Sequence, residues 1–98
     1  MSNTLDEIRV RRDQYLQRTY GLTLIGWEEM FTNQGSVCKI CKKRKKRYDT
    51  DHDHKTGKVR GIICHRCNVM LGHARDNQDI LFAGYQYLAD SNKEAPNA

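Results

Sequence analysis

The sequence predicts a small α+β domain in which two short strands lie between N-terminal and C-terminal helices. Three observations favour this class. Apolar residues recur at helical spacing near both ends of the 98-residue chain. Two segments of strand character flank a turn signal at positions 55–58. Four cysteines in two pairs enclose the strands, so a cross-link or ligand cluster is expected at the centre.

The first 35 residues predict two helices, at 5–35. The first has an apolar stripe that Arg12 interrupts, made of Leu5, Ile8, Tyr15 and Leu16. Gly21 is a suitable stop for it, and Thr23 is a suitable N-cap for the next helix. The second helix carries a stripe that we interpret as core, made of Leu24, Trp27, Met30 and Phe31. Gly35 is expected to end it.

The middle of the chain predicts a hairpin followed by a helix. Residues 48–52 and 59–63 have strand character, and Gly61 in the second strand indicates close approach of another group. Residues 64–71 can then be helical, ending at Gly72. Asp76 or Asn77 is a suitable cap for a last helix at 77–89. That helix is expected to turn an apolar face inward, formed by Ile80, Leu81, Gly84, Tyr87 and Leu88.

The cysteines are arranged for a closed metal site. Hydrophobic residues make up 38% of the chain and mean hydropathy is −0.84, so the core is small and a staple is expected. Disulfides would satisfy the count of four, but no leader or long apolar run is evident, and a reducing compartment favours metal. Redox use of the pairs is the weaker alternative. Two pairs, Cys38/Cys41 and Cys64/Cys67, predict one structural zinc ion with no open position.

Positive charge is concentrated between the two ends. Residues 38–75 contain twelve lysines and arginines against three aspartates, a net charge of +9, whereas the whole chain carries +5. An unbroken basic run consists of Lys42, Lys43, Arg44, Lys45, Lys46 and Arg47. A solvated loop or a localisation signal would explain such a run. A phosphate-binding surface is favoured because the run leads directly into a chemically rich segment.

That segment carries the most specific pattern in the chain. Residues 51–68 read DHDHKTGKVRGIICHRCN, and Leu71-Gly72 follows. The segment resembles the recombination endonuclease VII family, phage-type nucleases of the HNH, or ββα-metal (His-Me finger), superfamily. The lead-in from Tyr20 to Thr23, then Met30 and Gln34-Gly35, is similar too, as are Asp76-Asn77. The resemblance covers roughly residues 15–89. It implies a zinc-stapled ββα core at 38–72, flanked by helices in one nuclease domain at 1–98.

Phosphodiester hydrolysis needs an activated water and a sink for negative charge. Carboxylate and amide oxygens suit a hard cation, and an imidazole can accept the proton of water. The resemblance assigns these roles to Asp51 and Asn68 as ligands of one Mg²⁺ or Mn²⁺ ion, and to His52 as general base. His54 has a supporting role. Neighbours in a regular strand face opposite sides, so Asp51 and His52 can serve one site only where the strand ends or bends, which we predict.

The resemblance implies a metal-dependent DNA endonuclease of a phage or prophage, acting in the bacterial cytoplasm. Arg60 and Arg66 would add to the phosphate contacts of the basic run, and no membrane is involved. One alternative is a dimeric resolvase of branched DNA, although Leu71 stands where the best-studied branch has an acidic residue. Another is a zinc module that binds nucleic acid without catalysis. Asp53 is interpreted as a turn residue, and His65 and His73 as surface residues.

Overall fold

A computed structural model of the chain describes residues 4–94. Within them, helices and strands follow one another as α1 (Leu5–Tyr20), α2 (Leu24–Asn33), β1 (Tyr48–His52), β2 (Val59–Cys64), α3 (His65–His73) and α4 (Gln78–Glu94). The two strands form one antiparallel sheet, which confirms the α+β class. The chain divides into two compact units, Met1–His65 and Arg66–Ala98. No helix of the described part has the length and apolar character needed to cross a membrane.

Local capping defines both N-terminal helices. Thr4 and Glu7 form a reciprocal capping box at the start of α1, and Gly21 ends that helix in the left-handed conformation, at φ 68°. Thr23 caps α2 by accepting a hydrogen bond from the backbone N–H of Gly26, as its position predicts. The carboxylate of Asp13 on α1 accepts a second one, from the N–H of Leu24 at 2.8 Å. The start of α2 is therefore tied to α1.

The aromatic stripe of α2 packs against β1. The Trp27 ring stacks on Phe31 with centroids 5.3 Å apart, and Phe31 meets Tyr48 edge to face at 4.8 Å. The indole N–H of Trp27 donates to the hydroxyl of Thr50 at 2.9 Å. Tyr48 and Thr50 are two positions apart in β1 and share one side of the sheet. The stripe is therefore core, as the sequence indicates.

Gln34, just past the end of α2, fastens that helix to β2. Its side-chain amide donates to the carbonyls of Val37 and Ile62, and its carbonyl oxygen accepts from the N–H of Ile62. These bonds satisfy backbone groups of a strand that would otherwise be a sheet edge. Ile62 is fully buried, and Leu16, Leu24 and Ile63 complete the aliphatic core of the first unit. Leu5, by contrast, is 72% exposed, so only the end of the predicted α1 stripe is buried.

The hairpin is regular until its last pair. Asp51 pairs with Gly61, but the next pair is His52 with Val59, so the register shifts between Asp51 and His52. Arg60 is the additional residue of this β-bulge, and bulges bend a strand and re-aim its side chains. The bulge therefore lies in β2, opposite Asp51 and His52, and β1 ends at His52, so of the predicted end or bend beside Asp51 the structure shows the end.

The second unit contains α3 after His65, a tight turn and α4. Arg75 and Asp76 both have φ 54°, and the side chain of Asn77 accepts from the N–H of Ile80 at 3.0 Å, so Asn77 caps α4. The prediction that α4 buries an apolar face is wrong. No described side chain of α4 is buried, and Tyr87 is 75% exposed. The apolar spacing identified the helix correctly but not its surroundings.

Candidate active site

The four cysteines form a cluster. Their sulfur atoms lie within 4.8 Å of one another, and all four are free thiols. Tetrahedral zinc held at about 2.3 Å from each sulfur would place neighbouring sulfurs roughly 3.8 Å apart. The sulfurs of Cys41 and Cys64 are 4.0 Å apart. The donor set and its spacing therefore fit one zinc ion with four thiolate ligands.

Backbone donors prepare Cys38 for this role. Burial alone would raise the pKa of the Cys38 thiol, but hydrogen bonds from the backbone of Cys64, Cys41 and Ile40 outweigh it and lower the pKa to about 6. The N–H of Cys64 donates to the sulfur at 3.2 Å and that of Cys41 at 3.5 Å. Because the thiolate is the metal-binding form, the fold favours the ligand state near neutral pH.

Asp51 and Arg60 form a two-pronged ion pair at the bulge. Nε of Arg60 lies 2.7 Å from one carboxylate oxygen of Asp51, and a terminal guanidinium nitrogen lies 3.0 Å from the other. Asp51 is only 8% exposed, and it is the one buried charged side chain among residues 4–94. The sequence assigned Asp51 to a cation and Arg60 to DNA, but it gave no sign that the two side chains meet.

His52, the last residue of β1, lies in a row of aromatic rings. Its centroid is 5.6 Å from that of Tyr20 and 4.8 Å from that of His54. Tyr20, at the end of α1, meets Tyr15 edge to face at 6.4 Å. Burial and the neighbouring Tyr15 raise the pKa of Tyr20, so its phenol stays neutral. The structure thus brings the two predicted histidines together and adds Tyr20, which the sequence marked only as part of the family lead-in.

Asp53 closes the hairpin turn. One of its carboxylate oxygens accepts from the N–H groups of Lys55 and Thr56, at 2.7 and 3.0 Å. These bonds lower the pKa of Asp53. The carbonyl of Asp53 accepts from Gly57, whose φ of 76° suits glycine. The interpretation of Asp53 as a turn residue is confirmed.

The remaining predicted residues lie on the loop before β1 and on α3. The basic run 42–47 is an irregular loop whose side chains are exposed except for the half-buried Lys45. Asn68 is half-buried on α3 directly after Cys67, and Arg66 on the same helix is exposed. His65 is exposed, as predicted, but its Nδ1 lies 2.9 Å from a carboxylate oxygen of Asp49. No sequence signal indicated that pair.

Comparison with known proteins decides the family. The family model for recombination endonuclease VII matches residues 13–90. The chain belongs to the recombination endonuclease VII family. This match confirms the resemblance seen in residues 51–68.

Similar curated proteins come from phages. The chain is 43% identical to the Gene 59 proteins of Mycobacterium phages D29 and L5 over 74 residues. This match covers 71% of the chain but 45% of each relative, so the chain spans about half the length of these proteins. No solved structure matches the chain. The family is therefore established by sequence, and the relatives fit a phage-encoded protein.

Proposed function

We propose that the protein is a metal-dependent endonuclease of HNH, or His-Me finger, type that hydrolyses phosphodiester bonds in DNA. The observation that carries the proposal is the end of β1, which lies opposite the β-bulge of β2. The last two residues of β1 are a buried carboxylate, Asp51, and a histidine, His52, and the second strand of the hairpin ends at Cys64 of the cysteine cluster. A carboxylate and an imidazole on consecutive residues at the end of a strand supply a cation ligand and a proton acceptor.

The side chains present fit a hard divalent cation. Asp51 is a buried carboxylate, and each of its oxygens accepts one hydrogen bond from Arg60. A carboxylate oxygen has a second lone pair, so Asp51 retains acceptor capacity. In the proposal Asp51 and Asn68 hold one Mg²⁺ or Mn²⁺ ion, which supplies stabilisation for negative charge on the phosphoryl group. His52 takes the proton of the attacking water, and His54 beside it contacts phosphate.

DNA is held through its backbone in this proposal. The exposed basic loop 42–47 leads into β1, and Arg66 adds a further exposed cation on α3. Each phosphate neutralised by such a residue contributes a slope of about −0.9 in the logarithm of affinity against the logarithm of salt concentration. This mode of binding requires no base contacts, so it accounts for affinity and not for the choice of cleavage site.

The decisive test compares His52→Ala with His73→Ala on supercoiled plasmid. His52→Ala should reduce nicking by about 10²-fold or more, since general base catalysis contributes about that much. His73→Ala is the matched control, because His73 is an exposed residue at the end of α3. Circular dichroism should show both variants folded, and DNA binding should be retained.

Metal dependence is best tested by omitting the divalent ion and then adding it back. A chelator would also remove the proposed zinc ion, so loss of cleavage after chelation would not distinguish the zinc site from the site of the catalytic cation. Undiminished turnover by His52→Ala would remove His52 from the proposed role. A folded wild type that binds DNA but never cuts it, with Mg²⁺ or Mn²⁺ present, would favour the alternative of a non-catalytic zinc module.

A dimeric resolvase of branched DNA is the second candidate, and one observation favours it. The α4 helix exposes large apolar side chains, at Ile80, Phe82, Tyr85, Tyr87 and Leu88. Exposed apolar surface of this kind is typical of protein contacts. Under this candidate the measured mass in solution is that of a dimer, and four-way junctions are cut faster than linear duplex. Tyr87→Lys should then lower the mass in solution to that of a monomer and reduce the preference for four-way junctions. A wild-type protein that is a monomer and cuts linear duplex as fast as junctions excludes the resolvase.

A further inference from the structure

The ion pair between Arg60 and Asp51 is too closely fitted to be an incidental surface contact. Its two hydrogen bonds measure 2.7 and 3.0 Å, and they use both carboxylate oxygens. Asp51 is 8% exposed, whereas the Arg60 side chain is 36% exposed. The buried partner is therefore the carboxylate, and the guanidinium reaches it from the solvent side. Paired geometry of this kind fixes the plane of a carboxylate as well as its position.

The backbone at the bulge explains how Arg60 reaches Asp51. Adjacent strand residues direct their side chains to opposite faces, so in a regular β2 Arg60 would point away from the face of its neighbour Gly61, the cross-strand partner of Asp51. As the additional residue of the bulge, Arg60 is turned toward the carboxylate instead. The hairpin irregularity and the ion pair are thus one feature.

A second contact, made by Lys39, holds this part of the β2 backbone. The ammonium group of Lys39 donates to the carbonyl of Arg60 at 3.1 Å. Its alkyl stem crosses Gly61 so closely that a Cβ at that position would lie 2.7 Å from Cδ of Lys39. The glycine that the sequence marked for close approach therefore admits Lys39, which comes from the first cysteine pair. The cysteine turn and the bulge are connected through this side chain.

We propose that Arg60 is a positioning residue for the cation-binding carboxylate, an inference that rests on the proposed function. Arg60 fixes the orientation of Asp51, and its positive charge restrains the affinity of the site for a divalent cation. A cation held by the remaining lone pairs of Asp51 would lie close to the guanidinium, and like charges at such separations repel strongly inside a protein. Arg60 therefore lowers the affinity of the site for the cation and at the same time holds the carboxylate of Asp51 in one orientation.

The two effects are separable by substitution. Arg60→Gln removes both the positive charge and the two-pronged contact with Asp51. Loss of the charge should make Mn²⁺ bind about tenfold more tightly. Loss of the contact should lower kcat about tenfold or more, because a carboxylate that is no longer held in place misplaces the reacting groups. Arg60→Lys keeps the charge but loses the two-pronged contact. It should leave Mn²⁺ affinity close to that of the wild type and still lower kcat. Neither change should raise KM for DNA.

The measurements are Mn²⁺ titration by electron paramagnetic resonance without DNA, plasmid cleavage kinetics and thermal melting. Arg18→Gln is the matched control, since Arg18 is an exposed arginine on α1 and the variant loses the same charge. Asp51→Asn is the reference for a lost cation ligand. If Arg60→Gln unfolds because the buried carboxylate loses its partner, Arg60→Lys still tests the orientation effect on kcat.

The outcomes separate the inference from the proposed function. A raised KM for DNA, with kcat and Mn²⁺ affinity unchanged in Arg60→Gln, would make Arg60 a phosphate contact and overturn the inference alone. A lower melting temperature with unchanged kcat would reduce the pair to a structural role, and the inference would again fail by itself. If wild type and Asp51→Asn bind Mn²⁺ equally weakly, the cation site itself is wrong, and both proposals fail.

Discussion

The chemical properties of Asp51, His52 and Arg60 depend on the side chains that surround them. Asp51 is a plain acidic residue in the sequence, yet burial and Arg60 make it a fixed carboxylate. His52 is one of a pair of histidines with adjacent rings. Residue types and their order indicated the carboxylate and the imidazole, because cation binding and proton transfer need those groups. The contacts of Arg60 depend on a one-residue bulge in β2, and the pattern of residues around position 60 did not predict that bulge.

Tyr20 provides a prediction at this scale. Its ring lies 5.6 Å from that of His52, and such aromatic pairs contribute roughly 0.5–1.5 kcal/mol. Tyr20→Leu removes the ring that restricts the imidazole, so we expect cleavage to slow by up to about tenfold, the rate equivalent of about 1.4 kcal/mol.

Tyr20→Phe is the matched control for this change. It keeps the ring and loses only the hydroxyl, so the cleavage rate should stay near that of the wild type. Plasmid cleavage and melting temperature are measured for both variants. If both slow cleavage equally while remaining folded, the hydroxyl is the important group and ring packing is not.

At the scale of helices and strands, the sequence predicted what local signals encode. Gly21 and Thr23 mark the gap between α1 and α2 because one permits a left-handed stop and the other caps the next helix. The hairpin limits followed from its turn signal at 55–58, and Asp53 closes that turn as interpreted. These features depend on a few consecutive residues, so a single sequence is sufficient to find them.

Long-range packing was harder to predict at this scale. The apolar residues of α4 were expected inside, but Tyr87 and Leu88 are exposed, and the helix extends to Glu94, beyond the predicted 89. Helical spacing reports that an apolar face exists and not which surface covers it. Gln34 shows the same limit. Its side chain replaces strand partners for Ile62, a contact between positions 28 residues apart that has no local signature.

For the molecule as a whole, the proposed zinc ion at the cysteine cluster would compensate for a small core. The buried hydrophobic residues among positions 4–94 number eight, and three of them are cysteines, namely Cys38, Cys64 and Cys67. A structural zinc ion contributes on the order of 10–16 kcal/mol in small zinc-dependent domains, as much as or more than the whole stability of an ordinary domain. Composition and spacing predict that stability depends on zinc, because a short polar chain with four paired cysteines has few other sources of stability.

Cys64→Ser should therefore unfold the protein or remove its zinc. Cys64 is buried at the end of β2, and its N–H also donates to the sulfur of Cys38. The substitution therefore removes one sulfur ligand of the proposed zinc ion and disturbs the backbone that supports a second one. Zinc content by mass spectrometry should fall from about one ion per chain toward zero, since structural zinc normally has four protein ligands. The cooperative melting transition should disappear. Chelator treatment of the wild type should have the same effect, and added Zn²⁺ should reverse it.

A reducing agent is the control that separates zinc from a disulfide staple. The four cysteines are free thiols, so a phosphine reductant that binds zinc weakly should leave the melting curve of the wild type unchanged. Because the cluster lies at the end of the strand that carries Arg60 and Gly61, zinc loss should abolish cleavage and Mn²⁺ binding together. A chelated protein that still melts cooperatively and still binds Mn²⁺ would show that the hairpin and its carboxylate stand without the metal, contrary to the stability argument made from the small core.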